Sequence, residues 1–195
     1  MIAILLTFVG FFICLAVHEA AHAYVSYKLG DPTAKMEGRL TLNPLAHIDI
    51  VGTVIVPIFL ILSGLPAFGW AKPVMIDPRN FRNPPRDNFL TAIAGPISNI
   101  LFAILLVIIY RFLRIDFLPI LIGINILLAV FNLIPIPPLD GSKLWNLLLP
   151  DESYYSFERM GPYILLALII FAYSFGISIF SWVDTLTNAI INRVI

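Results

Sequence analysis

Long apolar runs constrain the fold of this chain more than any other feature of the sequence. The first run, residues 2–17, contains no charged side chain and continues to Leu29, where Gly30-Asp31-Pro32 stops a helix. Since about 20 apolar residues cross a bilayer as a helix, residues 2–29 predict a transmembrane helix. A signal peptide fits less well, because the run lacks a positively charged beginning and a small-residue cleavage pattern.

Later segments repeat the pattern. Residues 88–112, 117–136 and 162–183 predict three further spans, and residues 184–195 predict a short amphipathic helix. The run 51–70 is nearly long enough to cross, but prolines and glycines interrupt it.

Composition excludes several classes of protein. Hydrophobic residues make up 59% of the chain and charged residues 12%, against about 25% charged residues in soluble domains. The net charge of zero argues against nucleic-acid binding. We therefore expect an all-α polytopic membrane protein with about four to five transmembrane helices, forming one membrane-embedded domain over residues 1–195. The stretches 39–42 and 70–74 predict a small membrane-associated β element.

Three ionisable side chains lie together in the first predicted span, where each costs about 2.5–3.5 kcal/mol to insert. His18, Glu19 and His22 form the pattern H-E-x-x-H. Residues four apart share a helix face, so the two imidazoles can converge on one ion. The glutamate is offset and can reach a water beside that ion. Solvated surface histidines are a poor alternative in lipid, and the pattern predicts a metal site.

Asp140 is the candidate third ligand, since catalytic zinc usually has three protein ligands and one open position. It follows an uncharged span, and three of the four residues 135–138 are prolines that end a helix. Irregular backbone at membrane depth occurs where protein covers it or where it lines a wet cavity. The alternative for Asp140 is an ordinary turn or capping aspartate before Gly141.

Together these motifs resemble the site-2 protease family of intramembrane zinc metalloproteases. The resemblance rests on His18-Glu19-x-x-His22, a span carrying Gly95-Pro96, and Asn132-x-x-Pro135-x-Pro137-x-Leu139-Asp140-Gly141, in the family's order over roughly residues 10–145. The chain is similar to the compact prokaryotic branch without a PDZ domain or a CBS pair.

The resemblance implies a role for each motif residue. One zinc ion per chain would be held by His18, His22 and Asp140, and Glu19 would act as general base. Asn132 would contact the substrate backbone or the developing oxyanion, a role that suits an uncharged amide donor. An interhelical hydrogen bond is the alternative for Asn132.

Three further polar residues are left with open roles. His47 also matches the compact branch and is either a supporting or gating group of the site or a loop histidine bonded locally. Ser98 and Asn99 are expected to support helix packing beside Gly95, with participation of Asn99 in the site as the alternative.

The metal hypothesis makes a topology prediction. His22 lies in the second half of its span and Asp140 follows the end of its own, so the two spans must run parallel for these side chains to meet. Residues 51–70 are then re-entrant, because a crossing there would separate the ligands. This arrangement gathers nine Lys and Arg residues on one face, which the positive-inside rule assigns to the cytosol. They are Lys28, Lys35, Arg39, Lys72, Arg79, Arg82, Arg86, Lys143 and Arg159.

Together with this resemblance, the sequence predicts hydrolysis of a peptide bond in or near a transmembrane segment of a membrane protein substrate, within the bilayer of the cell membrane. The resemblance further implies regulated intramembrane proteolysis. The substrate would pair with residues 39–42 or 70–74 by strand addition. The alternatives are a membrane transporter, which the lack of an internal repeat disfavours, and a catalytically inactive metal-binding relative, which the intact Glu19 disfavours.

Overall fold

The computed structural model describes residues 2–63, 72–176 and 181–194, which form helices and irregular connections. The predicted all-α polytopic class is confirmed. The α-helices of the described residues are α1 (Ile2–Leu29), α2 (Thr33–Met36), α3 (Val56–Leu62), α4 (Pro84–Leu113), α5 (Leu118–Asn132), α6 (Trp145–Leu148), α7 (Asp151–Ser174) and α8 (Ser181–Val194). Shorter helical turns lie at Pro44–His47, Ile50–Ile55, Pro78–Asn80 and Asp140–Leu144.

Helix α1 ends where the sequence predicts. Gly30 adopts φ +113°, a left-handed conformation that glycine reaches without strain. The Asp31 N–H then donates to Ser26 O at 2.9 Å and the Gly30 N–H to Tyr27 O at 3.3 Å. These two bonds form a Schellman motif, which satisfies carbonyls that the end of the helix leaves without partners.

Three helices of the described residues are long and apolar enough to cross a membrane. They are Leu6–Leu29 in α1, Pro84–Leu113 as α4, and Asp151–Ala172 in α7. The predicted spans at 2–29 and 88–112 are confirmed as helices, and the last span begins earlier than its apolar run. A helix is also found at the predicted amphipathic tail, as α8.

Helix α5 is shorter than the predicted span at 117–136. Its 15 residues extend about 22 Å, less than the hydrocarbon thickness of about 30 Å. The prolines that follow lack N–H donors and cannot continue the helix. The chain instead forms tight turns, with the Ile136 N–H donating to Ile134 O at 2.8 Å and the Leu139 N–H to Ile136 O at 3.0 Å.

Helix α4 packs against both α1 and α5 and forms the apolar core with them. Cys14 from α1, Leu106 from α4 and Ile122 from α5 are buried in one cluster. This packing brings the second half of α1 next to the chain that follows α5, where the polar motifs lie.

The predicted β element is wrong for residues 39–42, which form bends. Local bonds use their backbone donors, since the Arg39 N–H donates to Ala34 O at 2.8 Å and the Thr41 N–H to Arg39 O at 2.9 Å. Residues 70 and 71 lie outside the described residues, and residues 72–77 are irregular. The Val74 N–H binds a side chain rather than a neighbouring strand.

The predicted re-entrant run falls partly outside the structure. Its first part is a π-helix at Ile50–Ile55 followed by α3, and the Asp49 carboxylate caps the turn by accepting the Gly52 N–H at 2.7 Å. Residues 64–71 are not among the described residues, so the re-entrant path stays a prediction.

Candidate metal centre

His18 and His22 lie one turn apart on α1, and both side chains are buried. Their ring centroids are 4.6 Å apart and the rings are nearly perpendicular. This is the spacing that i and i+4 positions give on one helix face. The pair therefore presents two ring nitrogens to the same volume.

Asp140 reaches this volume from the turn that follows α5. Its Oδ2 atom lies 3.1 Å from His18 Nε2 and 3.3 Å from His22 Nε2. One ligand atom from each of the three residues lies within 4.8 Å of the others. Three candidate ligands that are far apart in sequence thus converge on one point.

Gly141 makes the turn that presents Asp140 possible. A Cβ atom at this position would lie 2.6 Å from Leu133 C and 2.8 Å from Ile134 O, both of which are backbone atoms. Backbone cannot move aside as the end of a flexible side chain can. The close approach of the two chain segments therefore requires glycine here.

Gly95 of α4 makes room for the imidazoles. A Cβ atom at position 95 would lie 2.6 Å from His18 Cε1 and closer still to His22 Nε2. The absence of a side chain lets α4 pack directly over both rings. This close packing explains why glycine occupies position 95 of the Gly95-Pro96 motif.

Hydrogen bonds at Nδ1 fix the tautomer of each histidine. The carbonyl of Thr91 can only accept, so His22 Nδ1, 2.8 Å away, is the donor. His18 Nδ1 lies 2.6 Å from Asn99 Oδ1. The Asn99 amide nitrogen donates to Cys14 O and to Asn125 Oδ1, which leaves its oxygen as the acceptor for His18. If the rings are neutral, both Nε2 atoms then carry free lone pairs.

The donor set fits a divalent metal ion. Two Nε2 lone pairs and a carboxylate oxygen face one another, and groups of this kind repel unless a cation lies between them. Asp140 Oδ2 is buried and accepts no hydrogen bond within the described part of the chain. Two imidazoles and one carboxylate are a ligand set that catalytic zinc uses, with one position left open.

Glu19 is buried on α1, directly after His18 and three residues before His22. Its Oε2 atom accepts the Val74 N–H at 3.1 Å. This bond fixes one carboxylate oxygen and joins the residue to the irregular segment 72–77.

Asn132 and His47 make no hydrogen bond or ion pair with the three ligands in the described residues. The Asn132 amide donates to Leu128 O at 3.0 Å, within its own helix. His47 is buried, and its Nε2 lies 3.0 Å from Thr41 O, which corresponds to the local bonding considered as one alternative.

The sequence analysis missed Asn125, which is fully buried and holds Asn99 in place. Its own amide nitrogen donates to Leu121 O at 2.9 Å and to Cys14 Sγ at 3.0 Å. The signal was an amide in the middle of a span whose one other polar side chain is Asn132, since such a group needs partners in lipid. The contribution of Val74 has no sequence signal, because most residue types supply the same N–H.

Comparison with known proteins also indicates a metalloprotease. Residues 112–175 match the profile of peptidase family M50. YwhC of Bacillus subtilis (strain 168) is 37% identical over 179 residues, covering 84% of this chain and 78% of YwhC. Rip2 of Mycolicibacterium smegmatis is 29% identical over 147 residues, which cover 70% of this chain but only 54% of Rip2.

MJ0611 of Methanocaldococcus jannaschii is 39% identical over 69 residues, covering 32% of this chain and 36% of MJ0611. All three relatives carry names that assign them provisionally to the zinc metalloproteases. No solved structure matches the chain at a significant level. The match to YwhC over most of both chains, together with the family profile, shows that this protein belongs to peptidase family M50, the site-2 protease family of metalloproteases.

Proposed function

We propose that the protein hydrolyses a peptide bond in or near a transmembrane segment of a membrane protein substrate, within the cell membrane. One zinc ion per chain would be held by His18, His22 and Asp140. The observation that carries this proposal is the convergence of two Nε2 atoms and one carboxylate oxygen between α1 and the turn after α5.

Zinc in a site of this kind acts as a Lewis acid toward a carbonyl and lowers the pKa of water. The chain's own residues complete the chemistry. Glu19 would be the general base that takes a proton from the attacking water, because it is buried on α1 between the two histidines of the motif. Asn132 would supply an uncharged amide donor to the developing oxyanion, once substrate displaces its bond to Leu128 O.

The substrate must expose its backbone before water can attack it. A transmembrane helix keeps its amides in internal hydrogen bonds, so the cleaved segment has to unwind locally. Strand addition at residues 39–42 is not part of this proposal, because those residues form bends.

The direct test is cleavage of candidate single-span proteins by the purified protein in liposomes. We expect Glu19→Gln to abolish cleavage while zinc stays bound. Glu37→Gln is the matched control, since Glu37 is exposed just after α2 and its substitution should leave cleavage unchanged.

The outcomes separate the alternatives. Cleavage by Glu19→Gln at the wild-type rate would contradict the assigned base. Zinc binding by wild type without any cleaved product would indicate an inactive metal-binding relative, and transport of an ion or solute without cleavage would indicate a transporter.

A further inference from the structure

The irregular segment 72–77 lies along the second half of α1 and covers the neighbourhood of Glu19. Val74, in its middle, is buried against Ala23 of α1 and Ala34 of α2. The segment has no regular secondary structure to hold its shape. Its position therefore depends on individual contacts.

Three backbone N–H groups attach this segment. The Lys72 N–H donates to His47 O at 3.0 Å, and the Val74 N–H donates to Glu19 Oε2 at 3.1 Å. The Asp77 N–H donates to Asp31 Oδ2 at 2.8 Å. Along the segment, the bond from Val74 to Glu19 thus lies between the bond from Lys72 to His47 and the bond from Asp77 to Asp31.

The Asp31 carboxylate is fully buried and joins the end of α1 to the far end of the segment. Its Oδ1 atom accepts the Thr33 N–H at 3.1 Å, the Thr33 hydroxyl at 2.5 Å and the Asn80 amide at 2.8 Å. Burial raises the pKa of Asp31, but hydrogen bonds from Thr33, Asn80 and Asp77 outweigh it and hold the pKa below its usual value. The group is therefore an anion that neutral donors satisfy.

We infer that Asp31 is a positioning residue for the general base: it holds segment 72–77 so that the Val74 N–H orients the Glu19 carboxylate. The inference rests on the proposed role of Glu19. Only two residues separate Val74 from Asp77, so freeing Asp77 allows the Val74 N–H to move away from Glu19 Oε2. A carboxylate that loses its only described hydrogen bond can rotate away from the attacking water.

The test is Asp31→Asn. The asparagine oxygen can still accept from Thr33 and Asn80, but its NH₂ group then faces the Asp77 N–H, and two donors cannot bond. We expect kcat to fall ~10- to 100-fold, as for other supporting groups around a reactive centre. Zinc content should stay at the wild-type value, and hydrogen exchange at Val74 and Asp77 should become faster.

A double-mutant cycle with Val74→Pro shows whether Asp31 acts through the Val74 N–H. Proline removes that donor, so Asp31→Asn should cause little further loss of kcat in its presence. Val74→Ala keeps the N–H and removes only part of the buried side chain, so its kcat should fall much less than that of Val74→Pro. Arg79→Gln is the control for the segment, because it removes only the exposed ion pair with Asp77.

An equal loss of kcat from Asp31→Asn in wild type and in Val74→Pro would overturn the inference. Unchanged hydrogen exchange at the Val74 N–H in Asp31→Asn would also overturn it. Loss of zinc from Asp31→Asn would also overturn it, because Asp31 would then hold the whole metal site together rather than orient Glu19. Should the wild-type protein cleave no substrate, the proposed function fails instead, whatever the exchange experiment shows.

Discussion

His18 illustrates how the candidate site depends on residues that would not touch a metal ion. Its Nδ1 bonds to Asn99, which is held in turn by Asn125 and by the carbonyl of Cys14. These amides lie on α4 and α5, so the orientation of one ring on α1 is set by both neighbouring helices. The histidine tautomer, and with it the free Nε2 lone pair, follows from this network.

Replacement of Asn99 tests that network. We expect Asn99→Ala to weaken zinc binding ~10- to 100-fold, because His18 loses the acceptor that fixes its tautomer and ring orientation. Competition with a metal-sensitive dye measures the affinity. Ser98→Ala is the matched control, since the Ser98 hydroxyl donates to two backbone carbonyls, Gly95 O and Val17 O, and not to an imidazole. Equal affinities of Asn99→Ala and wild type would contradict the assigned role.

Gly95→Ala tests the close packing of α4 on the imidazoles. The added methyl group would lie 2.6 Å from His18 Cε1, so either the rings or the helix must shift. Overpacking of this kind costs about 1–3 kcal/mol of folding free energy. We expect a lower Tm in detergent and weaker zinc binding, and an unchanged zinc affinity would show that the rings have more space than the structure gives them.

At the residue scale, sequence reasoning could find the groups with unusual chemistry and little of their support. His18, Glu19 and His22 were recognisable because ionisable groups are costly in an apolar span. Asp140 was recognisable from the proline-rich turn before it. The supporting carbonyl of Thr91 and the Val74 N–H are backbone groups, and a sequence does not show which backbone groups face a site.

At the scale of elements, helices were predictable and the β element was not. Helix α1 ends at Leu29 as predicted, because Gly30 can adopt the left-handed conformation that closes a helix. The alternation of polar and apolar residues at 39–42 is typical of a strand. In the structure their donors are used by local turns, and no neighbouring strand is available among the described residues.

The turn after α5 gives a prediction at this scale. Gly141→Ala would place a methyl group against the backbone of Leu133 and Ile134, which cannot move without displacing Asp140. We expect zinc binding to fall more than in Gly95→Ala, where side chains can adjust. Metal analysis of the two purified variants makes the comparison. Wild-type zinc content in Gly141→Ala would contradict the assigned turn geometry.

At the scale of the whole molecule, the predicted topology agrees with one long-range contact. Asp31, just after α1, accepts the Asp77 N–H, so the chain between these residues returns to the end of α1 that it left. A segment that returns in this way does not separate His22 from Asp140. The re-entrant path of residues 51–70 stays a prediction, because residues 64–71 lie outside the described part of the chain.

Cysteine labelling in sealed vesicles tests this topology. Lys28 and Lys72 are exposed and lie before and after the re-entrant run. We expect Lys28→Cys and Lys72→Cys to react with a membrane-impermeant thiol reagent from the same side, the cytosolic one. Arg114→Cys should react from the other side, because the predicted span in α4 lies between Lys72 and Arg114. The single native cysteine, Cys14, is buried and gives a low background. Labelling of positions 28 and 72 from opposite sides would refute the topology.

Metal removal should destabilise the whole molecule. The proposed zinc ion joins α1 to the turn after α5, and an ion bound only by the folded state at a thousand times its Kd adds about 4 kcal/mol. A chelator should therefore lower Tm by roughly 10 °C. An unchanged Tm would show that no such cross-link exists.

The zinc content of the purified protein tests the central claim most directly. Metal analysis should find about one zinc ion per chain in wild type and in Glu19→Gln, since that variant keeps all three ligands. His22→Ala and Asp140→Ala should contain far less, because each removes a ligand atom of the site. Wild-type protein without stoichiometric zinc, or full zinc content in both ligand variants, would contradict the account.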